Sequence, residues 1–378
     1  MRTAPNAVMA FPIHGHRKFR SEGYRTRDGH MIEWMSKLLD PSQAVVEVFS
    51  RPEPVVKTVL DRVRARPRAN DLTGVEYVDP VTLRLPALND RFRWWDDSLR
   101  CFPERAREAD GRPVVVWNPM LGRSSWWPRL SASAAHVHLD LLDDWTVHYA
   151  FRNLRAEVEE SYGRMFASAA TITANSEGTL ALAQRFGRSD ARLLPNGVDP
   201  ERFDLQSRAS GPFTVGYVGK IGERLDLELI ADAARTNPAV RFVFAGPVLD
   251  GEFRSFHQTF PNIEWLGDVH YEDMPDLLRS FDVGWVPHRV GAGEVGGDVI
   301  KTYEYRAAGL PVLSTPIIGI GDRGFSAVTV LPSSEHAGWL KDASRLEDRA
   351  QRVPEDFPQD VTWRWKTAEV LRAVGLPV

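Results

Sequence analysis

Short apolar, β-branched runs alternate along this chain with stretches whose apolar residues recur every three or four positions. Runs of four to eight such residues bounded by turn formers read as buried strands, and the longer period reads as helices laid over them. The first half gives strands at AVMAFPI, AVVEVFS, VEYVD, PVVVWN, AHVHLDLL and TITANS. Helical stretches such as MIEWMSKLL, VVKTVLDRVRAR and LRAEVEESYGRMFASAA lie between them. At LLPNGVDPERF, residues 193–203, a Pro, an Asn-Gly and an Asp-Pro crowd together, and a polar tract follows; a domain boundary is expected there. A second series opens at FTVGYVG, residues 213–219, and runs through VRFVFAG, NIEWLG, FDVGWVP, LPVLST and AVTVLP. The pattern predicts an α/β chain of two Rossmann-like, doubly wound domains, 1–196 and 197–357. Ligands of such sheets bind beyond the C-terminal ends of the strands, so the domains are expected to face each other across a cleft.

One stretch breaks the pattern. In DVIKTYEYRAAGLPVLST, residues 298–315, the stripe a core-facing helix buries is Ile300, Tyr303, Glu304, Ala307 and Ala308. Glu304 does not suit it, because an ionised carboxylate is rarely buried without a partner. With Asp298 as N-cap, Lys301 stands in the first turn, where the helix dipole disfavours a cation. A bound anion removes that conflict, and a Lys301 pointing to solvent removes it equally.

Composition narrows the classes. At 43% hydrophobic and 26% charged residues the chain is globular, and its net charge of −4 gives no reason to expect nucleic acid as a partner. A single cysteine, Cys101, excludes an internal disulfide framework and a cysteine metal cluster, which fits a cytoplasmic protein. No apolar run is long enough to span a membrane, while contact with the inner membrane surface stays open.

Three segments carry candidate chemistry. HGHRKFRSEGYRTRDGH, residues 14–30, reads as a long basic loop after the first strand; it is either a solvated surface loop or an anion site. Gly15 there allows a phosphate or sugar to approach the backbone, and Arg17, Lys18 and Arg20 suit an anionic ligand. GYVGKIGERLDLELI spaces its glycines G-x-x-G-x-x-G, which is not the dinucleotide fingerprint, but sets Lys220 and Arg224 at the mouth of the second sheet. AHVHLDLLDDWTVH ends an apolar strand with Asp143 and Asp144; these read as a carboxylate accepting a hydroxyl proton, a divalent-cation site, or a capped helix start. There is no G-x-S-x-G elbow for serine hydrolase chemistry.

Four blocks in order, LLPNGVDPERF, GYVGKIGERLDLELI, NIEWLGDVHYEDMPDLLRSFDVGWVPH and IKTYEYRAAGLPVLST, resemble the retaining glycosyltransferases of the GT-B fold, the large family numbered four. VTWRWKTAEVLRAV resembles the family's final helix, which crosses back to the first domain, here over about 358–378. The resemblance implies transfer of a sugar from a nucleotide diphosphate sugar, UDP- or GDP-linked, to an acceptor hydroxyl, with retained anomeric configuration and neither metal nor further cofactor. It implies a ribose contact at Glu304 and diphosphate contacts at Gly219, Lys220, Arg224, Lys301 and the backbone of Asp298, Val299 and Ile300. The base is expected against the backbone of Asp268 and Val269. The family pairs two glutamates separated by seven residues, but eight positions before Glu304 stands Gly296; Glu294 is the nearest replacement. Asp144, then Asp143, and His16 are the candidates near the reacting centre. IKTYEY resembles a subgroup of cell-surface polysaccharide assembly, so the acceptor is expected to be a glycan or lipid-linked, with a small natural product equally compatible. A nucleotide-sugar epimerase of the same architecture is the rival reading.

Overall fold

The computed structural model describes residues 6–58, 71–87, 90–249, 251–291, 297–345, 349 and 351–378. The chain forms two compact units: unit 1 is Met1–Pro195 with Val295–Gly297 and Trp363–Val378, and unit 2 is Asn196–Glu294 with Asp298–Thr362.

Strands of unit 1 are β1 (Asn6–Phe11), β2 (Ala44–Phe49), β3 (Glu53–Pro54), β4 (Val75–Val78), β5 (Val81–Thr82), β6 (Pro113–Val116), β7 (His136–Leu141), β8 (Thr171–Ala174) and β9 (Arg192–Leu193). Seven of them make one parallel sheet in the order β4-β2-β1-β6-β7-β8-β9, and β3 pairs only with β5. In the sheet's middle strands nearly every side chain is buried, as expected where helices cover both faces. The Trp363–Ala373 helix belongs to this unit, and Trp363 stacks on His30 of the Arg27–Leu38 helix with ring centroids 4.7 Å apart.

Unit 2 contains β10 (Thr214–Val218), β11 (Arg241–Ala245), β12 (Ile263–Gly267), β13 (Val283–Val286), β14 (Val312–Ser314) and β15 (Val328–Val330). They form a second parallel sheet, β12-β11-β10-β13-β14-β15. Strand order reverses between β10 and β13, so the crevice for a ligand opens at their C-terminal ends.

Two expectations are corrected. Residues 14–30 are not a loop: His16–Glu22 is a helix, Gly23 (φ 85°) ends it, and a second helix begins at Arg27. Phe19, Tyr24 and Met31 are buried, and this apolar set, not the charges between, fixes the segment. Asp298 is not the N-cap of the next helix of interest, Ile300–Ala307; Val299 holds that position without a side-chain cap. Of VVKTVLDRVRAR, residues 55–58 are helical and the rest lies outside the described residues.

The deepest polar feature of unit 1 joins residues far apart in sequence. Buried Arg27 meets buried Asp140 through two hydrogen bonds, Nε to Oδ2 at 2.7 Å and Nη2 to Oδ1 at 2.8 Å. Trp117 Nε1 and Thr173 Oγ1 donate to the same carboxylate at 2.6 and 2.7 Å. Burial pushes the Asp140 carboxyl up, but the Arg27 charge and these hydrogen bonds outweigh it and hold the group below the usual carboxylate range. Arg27→Met strands a carboxylate in the core, and a loss of about 3–5 kcal/mol of stability is expected, read by urea unfolding.

Candidate functional site in unit 2

The site is built where β10, β13 and the Ile300–Ala307 helix meet. Tyr305, buried on that helix, accepts a hydrogen bond from the Val218 N–H at 2.8 Å, which ties the end of β10 to the helix. Beyond Val218 the backbone turns through Gly219 at φ 149°, a conformation L side chains rarely adopt, and a Cβ there would lie 2.8 Å from Lys301 Cε. Gly246, at φ 145°, underlies it: its Cβ would stand 1.9 Å from the Gly219 carbonyl oxygen. Gly246→Ala therefore displaces the Gly219 turn, and a melting temperature lowered by several degrees is expected in a thermal-shift measurement.

Lys301 lies over the Tyr217 ring, Nζ 5.1 Å from its centroid. The Tyr217 hydroxyl donates to the Lys220 carbonyl at 2.9 Å and stands 3.4 Å from His288 Nε2, just past the end of β13. Burial and then the charge of Arg224 push the Lys301 ammonium down to about 7; Glu304 opposes this, and Lys220 adds to it. His288 is held well below its ordinary value by burial, Lys301 and Arg224, so it stays neutral. Lys220 and Arg224 thus both act as cations on Lys301 at the strand ends.

Glu304 is 5% exposed, one helical turn after Lys301. Tyr271 is its aromatic neighbour: burial, then the Glu304 charge, raise that phenol well above its ordinary range. Arg202 lies over the Tyr271 ring at 5.6 Å and pairs with buried Asp199 at 2.9 Å. The buried carboxylate of the sequence stripe therefore sits on the polar side of the cluster, between a cation and a phenol.

Val299, Ile300 and Lys301 form the start of the helix. The Asp298 carboxylate is turned to other work: it accepts from Asn196 N–H at 2.8 Å and Tyr303 Oη at 2.6 Å, and pairs with Arg323 at 3.1 Å. Asp268 is exposed and Val269 half-buried on the loop after β12, at the sheet edge two strands from β10. Glu294 lies outside the described residues. Sequence reasoning missed His288, Tyr217, Tyr271 and Arg323; His288 alone carried a signal, as a polar residue directly after an apolar strand.

The unit 1 candidates lie at the ends of its own strands. His16 begins its helix after Gly15, and its ring is stacked on Tyr77 at 3.7 Å and gripped by Asp79 (Nδ1, 2.7 Å) and Asp71 (Nε2, 2.8 Å). Burial lowers its pKa, but the two carboxylates outweigh burial and raise it above the ordinary imidazole value. Arg17 donates to Thr58, Lys18 pairs with Glu22 at 3.5 Å, and Arg20 pairs with Asp71 at 3.6 Å. Asp144 is buried and engaged by Thr146 N–H at 2.8 Å, Thr146 Oγ1 at 2.5 Å and Arg185 at 3.2 Å. Asp143 instead lines a small cleft with Ile13, Trp117, Pro119, Leu142 and Trp145. Among the described residues no group of three His, Cys, Asp or Glu is placed to hold a metal ion.

The two parallel, helix-covered sheets give this chain a GT-B fold, and residues 212–347 match the family described as Glycosyl transferases group 1. Over 230 residues the chain is 26% identical to TuaH of Bacillus subtilis, a protein with the provisional name of a teichuronic acid biosynthesis glycosyltransferase. That match covers 55% of this chain and 56% of the relative, so the chain spans just over half the length of the curated relative it matches. Sucrose-phosphate synthase of Thermosynechococcus elongatus superposes with a TM-score of 0.69 at 13% identity, over 98% of this chain and 96% of that one. HepE of Anabaena, solved with UDP and glucose, superposes with a TM-score of 0.57 at 17% identity, over 98% and 95%.

Proposed function

We propose that this protein is a retaining glycosyltransferase that moves a sugar from a nucleotide diphosphate sugar to an acceptor hydroxyl. The observation that carries the reading is Lys301, an ammonium pushed down to about 7 by burial and by the neighbouring charges of Arg224 and Lys220. A cluster of cations at strand ends, next to a helix N-terminus, is stabilised by a diphosphate. Val299, Ile300 and Lys301 add backbone N–H groups to it, and Glu304 accepts hydrogen bonds from the ribose hydroxyls. UDP- and GDP-sugars are the first donors to test, UDP because HepE was solved with it.

In the proposed reaction the bond between the anomeric carbon and the diphosphate oxygen breaks as the acceptor oxygen bonds to the same face of the sugar. The acceptor proton passes to the departing diphosphate, so atoms balance without a metal or further cofactor. The protein's task is to hold the negative charge that develops on the leaving oxygens, which pre-aimed cations and N–H groups do. Unit 1 takes the acceptor at its strand-end cleft. Asp143 orients the acceptor hydroxyl there, because Asp144 is committed to Thr146 and Arg185. The resemblance of IKTYEY to polysaccharide-assembly enzymes, together with the likeness to TuaH, favours a glycan or lipid-linked acceptor.

A thermal-shift screen of UDP-, GDP-, ADP- and dTDP-sugars tests this, since a ligand at a hundred times its Kd stabilises the fold by about 2.7 kcal/mol. One nucleotide series raising the melting temperature, with no loss of binding in EDTA, is the expected result. No shift with any of them overturns the reading, and conversion of the donor to an isomer without acceptor marks an epimerase instead.

A further inference from the structure

The short ribbon of β3 and β5 stands outside the main sheet of unit 1 and has no place in the proposed reaction. Its strands run parallel, Glu53 opposite Val81 and Pro54 opposite Thr82, so the chain leaves both at the same end. The chain that leaves carries apolar side chains in water: Leu83 is 88% exposed, Leu85 66% and Val56 56%, and Val81 within β5 is 50% exposed. Single exposed apolar residues are ordinary, but four gathered at the end of one ribbon mark a contact surface.

Cations stand close to them in sequence. Arg84 stands between the two leucines and Lys57 follows Val56, both exposed, and Arg91 and Arg93 are exposed on the next turn. The acidic residues are already engaged: Glu53 pairs with Arg51 and Lys57, and Asp90 accepts from the N–H groups of Phe92 and Arg93. Residues 51–57 and 81–93 hold Arg51, Lys57, Arg84, Arg91 and Arg93 against Glu53 and Asp90, 5 − 2 = +3, in a chain whose net charge is −4. A two-fold contact with a second copy would bring this positive patch against itself.

We propose that this end of the ribbon docks on an anionic lipid surface, with Leu83 and Leu85 entering the boundary between headgroups and acyl chains and Arg84 facing lipid phosphates. Leucines on an exposed tip supply the apolar area, and the cations supply attraction that falls with ionic strength. The surface is independent of which reaction the protein performs.

The test is co-sedimentation of the full chain with vesicles of phosphatidylcholine, alone or mixed with phosphatidylglycerol. Binding to the mixed vesicles, weakened by salt and much lower on phosphatidylcholine alone, is expected. The pair Leu83→Asp and Leu85→Asp should weaken it by roughly tenfold or more, and Arg84→Glu by severalfold. Because these side chains are exposed, the variants should keep the parent's melting temperature and nucleotide affinity, which separates lost docking from lost folding. Absence of binding by the parent protein, or equal binding by the double variant, overturns the proposal. A double variant that changes oligomeric state in sedimentation velocity while still binding vesicles also overturns it and assigns the surface to a second copy.

Discussion

On the proposed reading, Lys301→Met is expected to raise the stability of the protein and to weaken diphosphate binding together. Folding carries this ammonium from an ordinary pKa of 10.5 to about 7, so between those values the unfolded chain binds more protons than the folded one. Stability from this group therefore rises as pH climbs from about 7 toward 10.5, and below 7 its full cost is present. Methionine preserves the packing and deletes the cost, and a gain on the order of 1–3 kcal/mol at pH 7 is expected after allowing for water that reaches the site. Affinity for UDP or GDP, whichever the donor screen selects, should fall about 100-fold while affinity for the bare nucleoside is unchanged. A diphosphate bound as proposed would draw a proton onto Lys301, so calorimetry on the parent protein at pH 7 in buffers of different ionisation enthalpy should show proton uptake, and affinity should decline above pH 7. A variant that is less stable, or one that binds the diphosphate as before, contradicts the assignment.

Glu304→Ala tests the proposed ribose contact. A buried carboxylate that accepts two ribose hydroxyls would contribute about 1.5–3 kcal/mol through each, so affinity should fall by more than about 100-fold for nucleoside and nucleotide alike. Removing its charge also removes the one opposing influence named on Lys301, whose pKa should drop further and move the pH dependence of diphosphate binding downward. Comparing the two variants against nucleoside and nucleoside diphosphate separates ribose from phosphate recognition. Equal nucleoside affinity in Glu304→Ala and the parent protein sinks the ribose contact.

Local pattern made the strands legible: six apolar runs in each half of the sequence become parallel strands, because a strand covered on both faces must be apolar nearly throughout. Glu304 was legible for the converse reason, as a charge where the helical period demands a core residue. The charges of residues 14–30 misled, since Phe19, Tyr24 and Met31, the side chains that fold that segment, are few among many polar neighbours. Nor does any local rule connect Arg27 with Asp140, which are 113 residues apart and meet only because β1 and β7 belong to one sheet. The same limit hid His288 and Tyr217, whose proximity is a product of the β10 and β13 pairing.

The helix Trp363–Ala373 returns to unit 1 after the whole of unit 2 has intervened. During synthesis, unit 1 therefore waits for its last element while the ribosome adds roughly 170 residues, about 10–30 s at ordinary elongation rates. Over that interval the side of the Arg27–Leu38 helix bearing His30 lacks its cover, while unit 2, whose segments are nearly continuous, can complete itself. The nascent chain should thus pass through a state with a finished second unit and an unsealed first one. That state would be the natural client of a chaperone.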